Sequence, residues 1–591
     1  MGNVEGIEMI ENKTHDKILD SASVGDQKSF SSTESAVSSG KKSAYGSKVS
    51  YVARLFDDEL DDIDMADETS ISSDNEMLYL PRFCLSSLIP KSGLSLAFAG
   101  LIAAFRLYFR ELEIKNVSGR QIDSIEDEIK HYVSPFILSP FGRNNRFIRF
   151  VSGCNTKELD SFLLDRETLS YVLCREAASA RLAMIDADRP LFESQLYGQA
   201  QKLDEGQGRS PVLASPDHFA RQTQTPVILV IDASEMRGQI VPLLKGAMAY
   251  ARPANISAVI LNKMDPAYYS DLKTHIENEC NIPVLGYIPF REIFVDLEAN
   301  YYETPLDMNI FSNRVQELAE TIMDCVDMDN LFAIAERAST LRAYISKSLF
   351  QVQKGLGSKS LELNIAYTYD EAFDDCSREN LDMLRDLGIN LIPVSPLHDD
   401  ILQNNIDGLY LSSSKLLKYR KQLSDGRKFN KSLQYSAMRG LPIFAENEAY
   451  LYTSQGFTLS DENIFWPMCS ITQHRHLINR EIDTNAYEYI SMTNAVNNSV
   501  AGIHWTLKGV ARSYLLDADC GNAMKVKLER NRQSRHMAFS SANVFAIPGK
   551  VYFMSEPRTL LRFVSSCLQY KEDCMNRQFE DTEIFPAINE R

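Results

Sequence analysis

Two short runs, Val227-Ile228-Leu229-Val230-Ile231 and Ala258-Val259-Ile260-Leu261, are apolar at every position and rich in β-branched residues. A strand of this kind has no face to offer to water. It is stable only when both faces are covered, the condition of a parallel sheet held between two layers of helices. Each run ends in a polar residue, Asp232 and Asn262 respectively. Open α/β sheets bind ligands at the carboxyl ends of their strands, so both residues stand where a ligand would lie, although either can equally well cap its own loop.

From Leu78 onward, short apolar runs alternate with helical stretches, the pattern of an α/β fold. Leu94 to Phe105 reads as a buried helix. A second α/β unit starts near Leu361: Leu363-Asn364-Ile365-Ala366 reads as a strand, Arg378 to Leu387 as a helix closed by Gly388, and Ile389 to Val394 as the next strand. Between the units, Asp327 to about Lys359 reads as helical and ends in the polar stretch Lys354-Gly355-Leu356-Gly357-Ser358. The expected organisation is a tail over 1–77, an α/β domain over 78–335, a linker over 336–360, a second α/β domain over 361–575 and a short tail over 576–591. The first tail is rich in Ser, Asp, Glu and Lys, with too few apolar residues to offset the entropy of ordering. It is expected to be disordered and to offer a place for a protein partner.

Charge and cysteine usage narrow the function. The 591 residues carry a net charge of −18, which repels nucleic acid and anionic lipid. Aromatic residues are not interleaved with basic clusters, so neither a nucleic acid nor a membrane is an expected partner. No run approaches the roughly 20 apolar residues of a membrane span. The N-terminus has no apolar signal core, and Gly6 stands where a myristoylation signal requires Ser or Thr. Ten cysteines are scattered without a C-x-x-C, as in a reducing compartment, so a cytoplasmic location is expected and a structural metal is not.

Taken together, several segments resemble the cobyrinic acid a,c-diamide synthase family. In the N-terminal half they are Thr225 to Ala233, Ile256 to Lys263 and Ile282 to Pro289. In the C-terminal half they are Glu379-Asn380-Leu381, Ser395-Pro396-Leu397, Asp407 to Leu411, Pro442 to Glu446 and Asn543 to Ala546, then Phe553, Ser555 and Pro557. The resemblance implies a P-loop-type parallel-sheet domain followed by a class I glutamine amidotransferase-like α/β domain. It also implies a chemistry: ATP and Mg2+ activate a substrate carboxylate in the first domain, and ammonia comes from glutamine in the second.

The residues that this chemistry needs are only partly present. A P-loop requires glycines whose amides approach phosphate, a Lys for the β and γ oxygens and a Ser or Thr for magnesium. The matching stretch is Ser87-Leu88-Ile89-Pro90-Lys91-Ser92-Gly93-Leu94-Ser95. Gly93 and Ser95 keep the last glycine and the magnesium position. Leu94 replaces the lysine, Ser87 and Lys91 replace glycines, and Pro90 removes an amide donor. Lys91 is the one residue placed to substitute. Phe141 stands where the family has an acidic residue, Asp186 replaces its glutamate and keeps a carboxylate for a metal, and Asn262 fits its adenine-side position. Weak ATP and Mg2+ binding, or none, is expected.

Glutamine hydrolysis needs a thiolate, a histidine and an oxyanion loop. The resemblance puts Asn447 at the nucleophile position, Ser412-Ser413-Ser414 in place of the oxyanion loop's glycines, and Lys550 in place of the histidine. Loss of the nucleophile alone costs about a million-fold in such units. Elsewhere, His474-Arg475-His476 could place two imidazoles on one strand face, but with no third ligand nearby in sequence a solvated loop is the favoured reading, and Cys376, His504 and His536 are isolated in sequence and read as structural residues. The chain is therefore expected to be a glutaminase-dead relative that serves as a binding or regulatory pseudoenzyme, with a corrinoid or another small-molecule carboxylate as ligand. The alternative is a divergent amide ligase that uses free ammonia or a partner's glutaminase.

Overall fold

The fold is that of a computed structural model describing residues 77–116, 131–139, 147–148, 151, 156–194, 196, 212–250, 255–295, 297, 308–342, 361–373, 375–399, 401–413, 415–479, 486–494, 505–517, 521 and 523–584. The expectations placed on residues before 77, on Phe141, on Ser414, on His504 and on 343–360 lie outside these.

In the N-terminal half the strands are β1 (Arg82–Ser87), β2 (Val133–Ile137), β3 (Lys157–Glu158), β4 (Leu182–Pro190), β5 (Val227–Asp232), β6 (Ile256–Met264) and β7 (Val284–Pro289). Among the described residues they form one sheet of order β3-β2-β4-β1-β5-β6-β7, parallel throughout. The two all-apolar runs of the sequence are β5 and the centre of β6, and β5 is buried at every position. β1 lies between β4 and β5, so the chain reverses its direction of travel there and opens a crevice at the strand ends. Helix α1 (Leu94–Asn116) comes after β1 and buries Phe98, Leu101, Ile102 and Phe105. Helix α2 (Pro266–Cys280) comes after β6. It is capped by Asp265, started by a proline and closed by Asn281 in the left-handed region. Helix α3 (Met328–Glu336) stands beyond β7, with Asp327 as its N-cap.

The C-terminal half opens with β8 (Asn364–Thr368), helix α4 (Arg378–Asp386), β9 (Asn390–Val394), β10 (Gly408–Ser413) and β11 (Ile443–Asn447). Its remaining strands are β12 (Gly456–Leu459), β13 (Phe465–Pro467), β14 (Arg475–Ile478), β15 (Tyr487–Asn494), β16 (Leu507–Arg512), β17 (Met524–Leu528), β18 (Ser534–Met537), β19 (Phe539–Ser540) and β20 (Val544–Ala546). The main sheet has the order β9-β8-β10-β11-β20-β19, with only β19 antiparallel. A small sheet reads β13-β12-β14, and an antiparallel one reads β16-β15-β17-β18. The antiparallel sheet packs on the N-terminal half through Tyr489, which donates to Asp160 Oδ2 at 2.7 Å, and Tyr487, which pairs with Arg189 Nη1 at 3.1 Å.

The α/β class read from the sequence holds, and some local readings change. The helix expected from Asp327 to Lys359 is α3 and stops at Glu336. Leu341–Arg342 is instead a short strand paired with Met77–Leu78, and the intervening Ser339 carbonyl accepts from buried Arg82 at 2.8 Å. His474-Arg475-His476 is not a solvated loop, because Arg475 and His476 lie on β14 and His476 is buried beside the Tyr450 ring. Cys376 has the structural role read for it, with its Sγ donating to the Thr368 carbonyl at 3.5 Å. The last helix, α5 (Pro557–Ile584), runs past residue 575 because no glycine or second proline interrupts it. Among the described residues no helix is long and apolar enough to cross a membrane.

Candidate functional site

The crevice at the ends of β1, β4, β6 and β7 holds a cavity of about 440 Å³. Its floor is the loop from β1 to α1. Arg82 fixes the start of this strand: its guanidinium donates to Thr225 Oγ1, Thr223 O, Leu80 O and Ser339 O. The loop is braced from within, with Ser87 Oγ donating to Ile89 O at 3.0 Å and Ser92 Oγ to the same carbonyl at 2.6 Å. Lys91 and Gly93 both take positive φ, 61° and 75°. A Cβ at Gly93 would lie 2.4 Å from Asn262 Nδ2, so glycine is required there for space as well as for conformation.

Asn262 is buried at the end of β6. Its Nδ2 donates to Ser92 O at 2.7 Å and its Oδ1 accepts from Lys263 N at 3.0 Å. The amide thus ties the loop after β1 to the loop after β6. Lys263 sits at φ 52° and its ammonium donates to Asp232 Oδ2 at 2.6 Å. Both strand-end polar residues picked out in the sequence therefore reach the crevice's framework, joined through Lys263. Ser87, Lys91, Gly93, Ser95 and Asn262 all line the cavity, whereas Asp186 does not. Asp186 is buried, with Oδ1 accepting from Asp188 N at 2.9 Å.

The second cluster lies where β11 turns into the helix Ala449–Thr453. Asn447 ends the strand at φ 57°, a conformation that Asn accepts more readily than other side chains except Gly. Its Nδ2 donates to Asp375 Oδ2 at 2.8 Å, and its buried Oδ1 has no partner among the described residues. Lys550, almost fully buried, donates to Asp375 Oδ1 at 3.1 Å and to Glu158 Oε2 at 2.9 Å. Glu158 also accepts from Tyr552 OH at 2.7 Å, and its backbone N–H donates to Glu379 Oε1 at 2.9 Å. The backbone of Lys550 exchanges hydrogen bonds with Val510 in both directions, which fixes the ammonium in place.

Ser412 and Ser413 face the same loop. Ser412 Oγ donates to Asp375 O at 3.2 Å and Ser413 Oγ to Ala372 O at 2.5 Å, so both hydroxyls are spent on tying down the loop from Ala372 to Asp375. On either side of Asn447, Glu446 accepts from Tyr410 OH at 2.5 Å and Val551 N at 2.8 Å, and Glu448 accepts from Tyr514 OH and from Leu416 N. Burial pushes each of these two carboxyls up to about 7, against the pull of the tyrosine hydroxyl each one accepts. Burial alone would lower the Lys550 ammonium, but Asp375 and Glu158 outweigh it and hold its pKa well above the usual lysine value. Chemically the cluster is one buried ammonium shared between two carboxylates, with the Asn447 amide tied to one of them.

The structure brings Asn447, Lys550, Ser412 and Ser413 together around Asp375. Sequence reasoning missed Asp375, Glu158, Glu446 and Glu448. Two glutamates inside the apolar run Pro442 to Tyr450 were a readable signal of buried, partnered carboxylates; Glu158, in the surface-like stretch Thr156-Lys157-Glu158, gave none.

No family model matches the chain. Curated relatives do. It is 28% identical over 334 residues to a cobyrinate a,c-diamide synthase of Caldanaerobacter subterraneus subsp. tengcongensis, covering 55% of this chain and 68% of that protein. It is 27% identical over 442 residues to one from Picrophilus torridus, with 74% and 92% covered. A third, from Thermoplasma volcanium, is 25% identical over 444 residues, with 74% and 91% covered. Among solved structures, chloroplast FtsY from Physcomitrella patens overlaps at 11% identity and a TM-score of 0.25, covering 46% of this chain and 74% of that one, too little overlap to bear on the fold.

Proposed function

Because the chain belongs to the cobyrinate a,c-diamide synthase family, we propose that it is a cobyrinate a,c-diamide synthase-like protein which does not hydrolyse glutamine and acts as a binding or regulatory member of the family. The observation that carries this reading is the filled turn at β11. Asn447 offers an amide, which does not attack a carbonyl, and Lys550 donates to both Asp375 and Glu158, whose charges favour its protonated form, a poor general base. The ligand is a corrinoid or another small-molecule carboxylate, the partner a protein that binds the N-terminal tail, and the compartment the cytoplasm.

In the family, as the resemblance implies, ATP and Mg2+ supply the activation of the carboxylate. The residues of this crevice do not fit Mg-ATP. Leu94 gives no charge to the β and γ phosphates, Pro90 no amide, and Asp186 is buried and not among the residues that line the cavity. One observation favours a second reading, an ATP-dependent amide ligase that takes free ammonia or a partner's: the cavity persists, and Lys91 lines it with no ion pair among the described residues.

Glutamate release from glutamine, measured with and without ATP and a corrinoid carboxylic acid, separates the readings. No release, together with corrinoid binding that ignores ATP, is the expected result. Glutamate release clearly above background overturns the first reading, and amide formation from ammonium and ATP establishes the second.

A further inference from the structure

Residues 415–439 carry eight Lys or Arg and one acidic residue, in a chain whose net charge is −18. They belong to the crossover from β10 to β11, whose main helix is Arg427–Met438. This helix buries Phe429, Leu433 and Ala437 in the core of the C-terminal half. At about 100° per residue, Arg427, Lys428, Lys431, Tyr435, Met438 and Arg439 fall on the opposite side in one stripe about 120° wide. All six are exposed, Tyr435 by 60% and Met438 by 78%. The cations stand at the wrong end of the helix. Its first turn has no acidic residue, and Gly426 precedes it without a side-chain cap. Arg427 and Lys428 thus add positive charge to the positive end of the helix dipole, where an anion is the stabilising partner. Arg427 and Lys431 make no ion pair among the described residues. Local rules are broken in this way where a binding surface requires it.

We propose that this helix face docks residues 57–68 of the same chain. That segment has eight acidic residues in twelve and no Lys, Arg or His, and it interleaves Leu60, Ile63 and Met65 with them. Its carboxylates match Arg427, Lys428 and Lys431 at the helix start. Its apolar side chains match Tyr435 and Met438, which are three residues apart and so form one apolar spot inside the basic rim. Met77 is held by its pairing with Arg342, and the twenty residues from 57 to 77 extend to roughly 70 Å, enough to reach any face of a compact chain of this length. A tethered segment is favoured over an outside polyanion. A nucleic acid or an anionic lipid surface must approach through the repulsive field of the whole chain, whereas the segment is already present at a millimolar effective concentration. Charge pairing with interleaved apolar contact asks for no fixed fold in the segment. A protein that binds the tail then competes with this face for it.

The test is zero-length carbodiimide cross-linking of the full chain, read by peptide mass spectrometry on an equal mixture of unlabelled and isotope-labelled chains. Carboxylates of residues 57–68 are expected to join Lys421, Lys428 or Lys431 within one chain, light to light and heavy to heavy. The yield should fall at least about tenfold in 1 M salt, where the screening length is about 3 Å. Arg427→Gln combined with Arg439→Gln leaves every lysine in place for the chemistry and should lower the yield about fivefold, the effect of two exposed ion pairs. The salt arm uses the unaltered chain, so it decides the matter even if the variant does not fold. Cross-links between light and heavy chains would assign the segment to a second copy. Cross-links spread over exposed lysines elsewhere, such as Lys525, would show that the segment has no preferred face. Binding of phosphatidylserine vesicles or single-stranded DNA at about 0.15 M salt, with no cross-link from the segment, would assign the face to an outside polyanion. Each of these results overturns the proposal, as does a yield that ignores both salt and the two arginines.

Discussion

Lys550 and Glu158 lie 392 residues apart in the chain, yet the ammonium of one donates to the carboxylate of the other at 2.9 Å, with the Lys550 side chain only 1% and that of Glu158 11% exposed. Glu158 belongs to the edge strand of the N-terminal sheet, and Lys550 lies beyond the last strands of the C-terminal one. Lys157 adds a second bridge of the same kind, to Asp382 on α4, and Arg175 a third, to Asp386 at 2.6 Å. Lys550 is therefore part of a joint between the two halves.

Removing the cation from that joint should cost more than removing an exposed ion pair. Lys550→Met leaves Glu158 and Asp375 buried without their cation, and breaking a buried pair from one side typically costs about 3–5 kcal/mol. Denaturant unfolding should show that loss, and adding Glu158→Gln should recover a large part of it. A loss below about 1 kcal/mol, as for a surface pair, would contradict the buried joint.

Glutamine hydrolysis should stay absent even when the nucleophile is restored. Asn447→Cys supplies a thiol at a turn of suitable φ, but Lys550 cannot take its proton, and the Ser412 and Ser413 hydroxyls already donate to Asp375 O and Ala372 O. Glutamate release by the variant, measured enzymatically, would show that the cluster opens more readily than its hydrogen bonds indicate.

How much of this was legible depended on whether the information was local. Central strands such as β5 and β6 declared themselves because their runs are apolar at every position, and α1 through its apolar start. Asn447, Lys550, Ser412 and Ser413 were found by resemblance and do converge in space. Glu158 and Asp375 were not, because nothing in a two-residue polar strand or an acidic loop announces a partner hundreds of residues away. The helix after Asp327 was over-extended for a related reason: its stop is set by a strand pairing with Met77–Leu78 and by the grip of Arg82 on Ser339, both non-local.

Stability should fall as pH rises from about 4.5 to about 7. Burial raises Glu446 to about 7 from the ordinary glutamate value of 4.5, so over that interval the folded chain holds a proton that the unfolded chain has released. The contribution is fully present below the lower value and lost as pH passes the higher one, and for a fully buried group it amounts to at most about 3 kcal/mol. Glu446→Gln mimics the protonated form, since the amide oxygen can accept from Val551 N while the amide nitrogen donates to Tyr410. Chemical unfolding at about pH 5 and about pH 7.5, on either side of the folded value, should show a shallower pH dependence in the variant. An unchanged slope would exclude Glu446 as its source.

The phosphate loop leads to the remaining expectation. In a working loop a lysine screens the repulsion among phosphates and successive amides cradle them. Here Leu94 puts an apolar side chain at that position, Pro90 withholds an amide, and Ser87 and Ser92 have turned their hydroxyls onto Ile89 O, leaving the loop braced against itself. Losing one charge-assisted contact costs roughly 1.5–3 kcal/mol, about ten- to a hundredfold or more in affinity. Magnesium-dependent ATP binding is therefore expected to be no tighter than a Kd of about 1 mM. Lys91, at φ 61° on the cavity wall and without an ion pair among the described residues, is the cation of this loop able to substitute, so wild type and Lys91→Ala should be titrated together. Micromolar binding by wild type would refute the expectation. Its disappearance in Lys91→Ala would then show that the phosphate charge had moved along the loop from position 94 to position 91, and would favour the ligase reading.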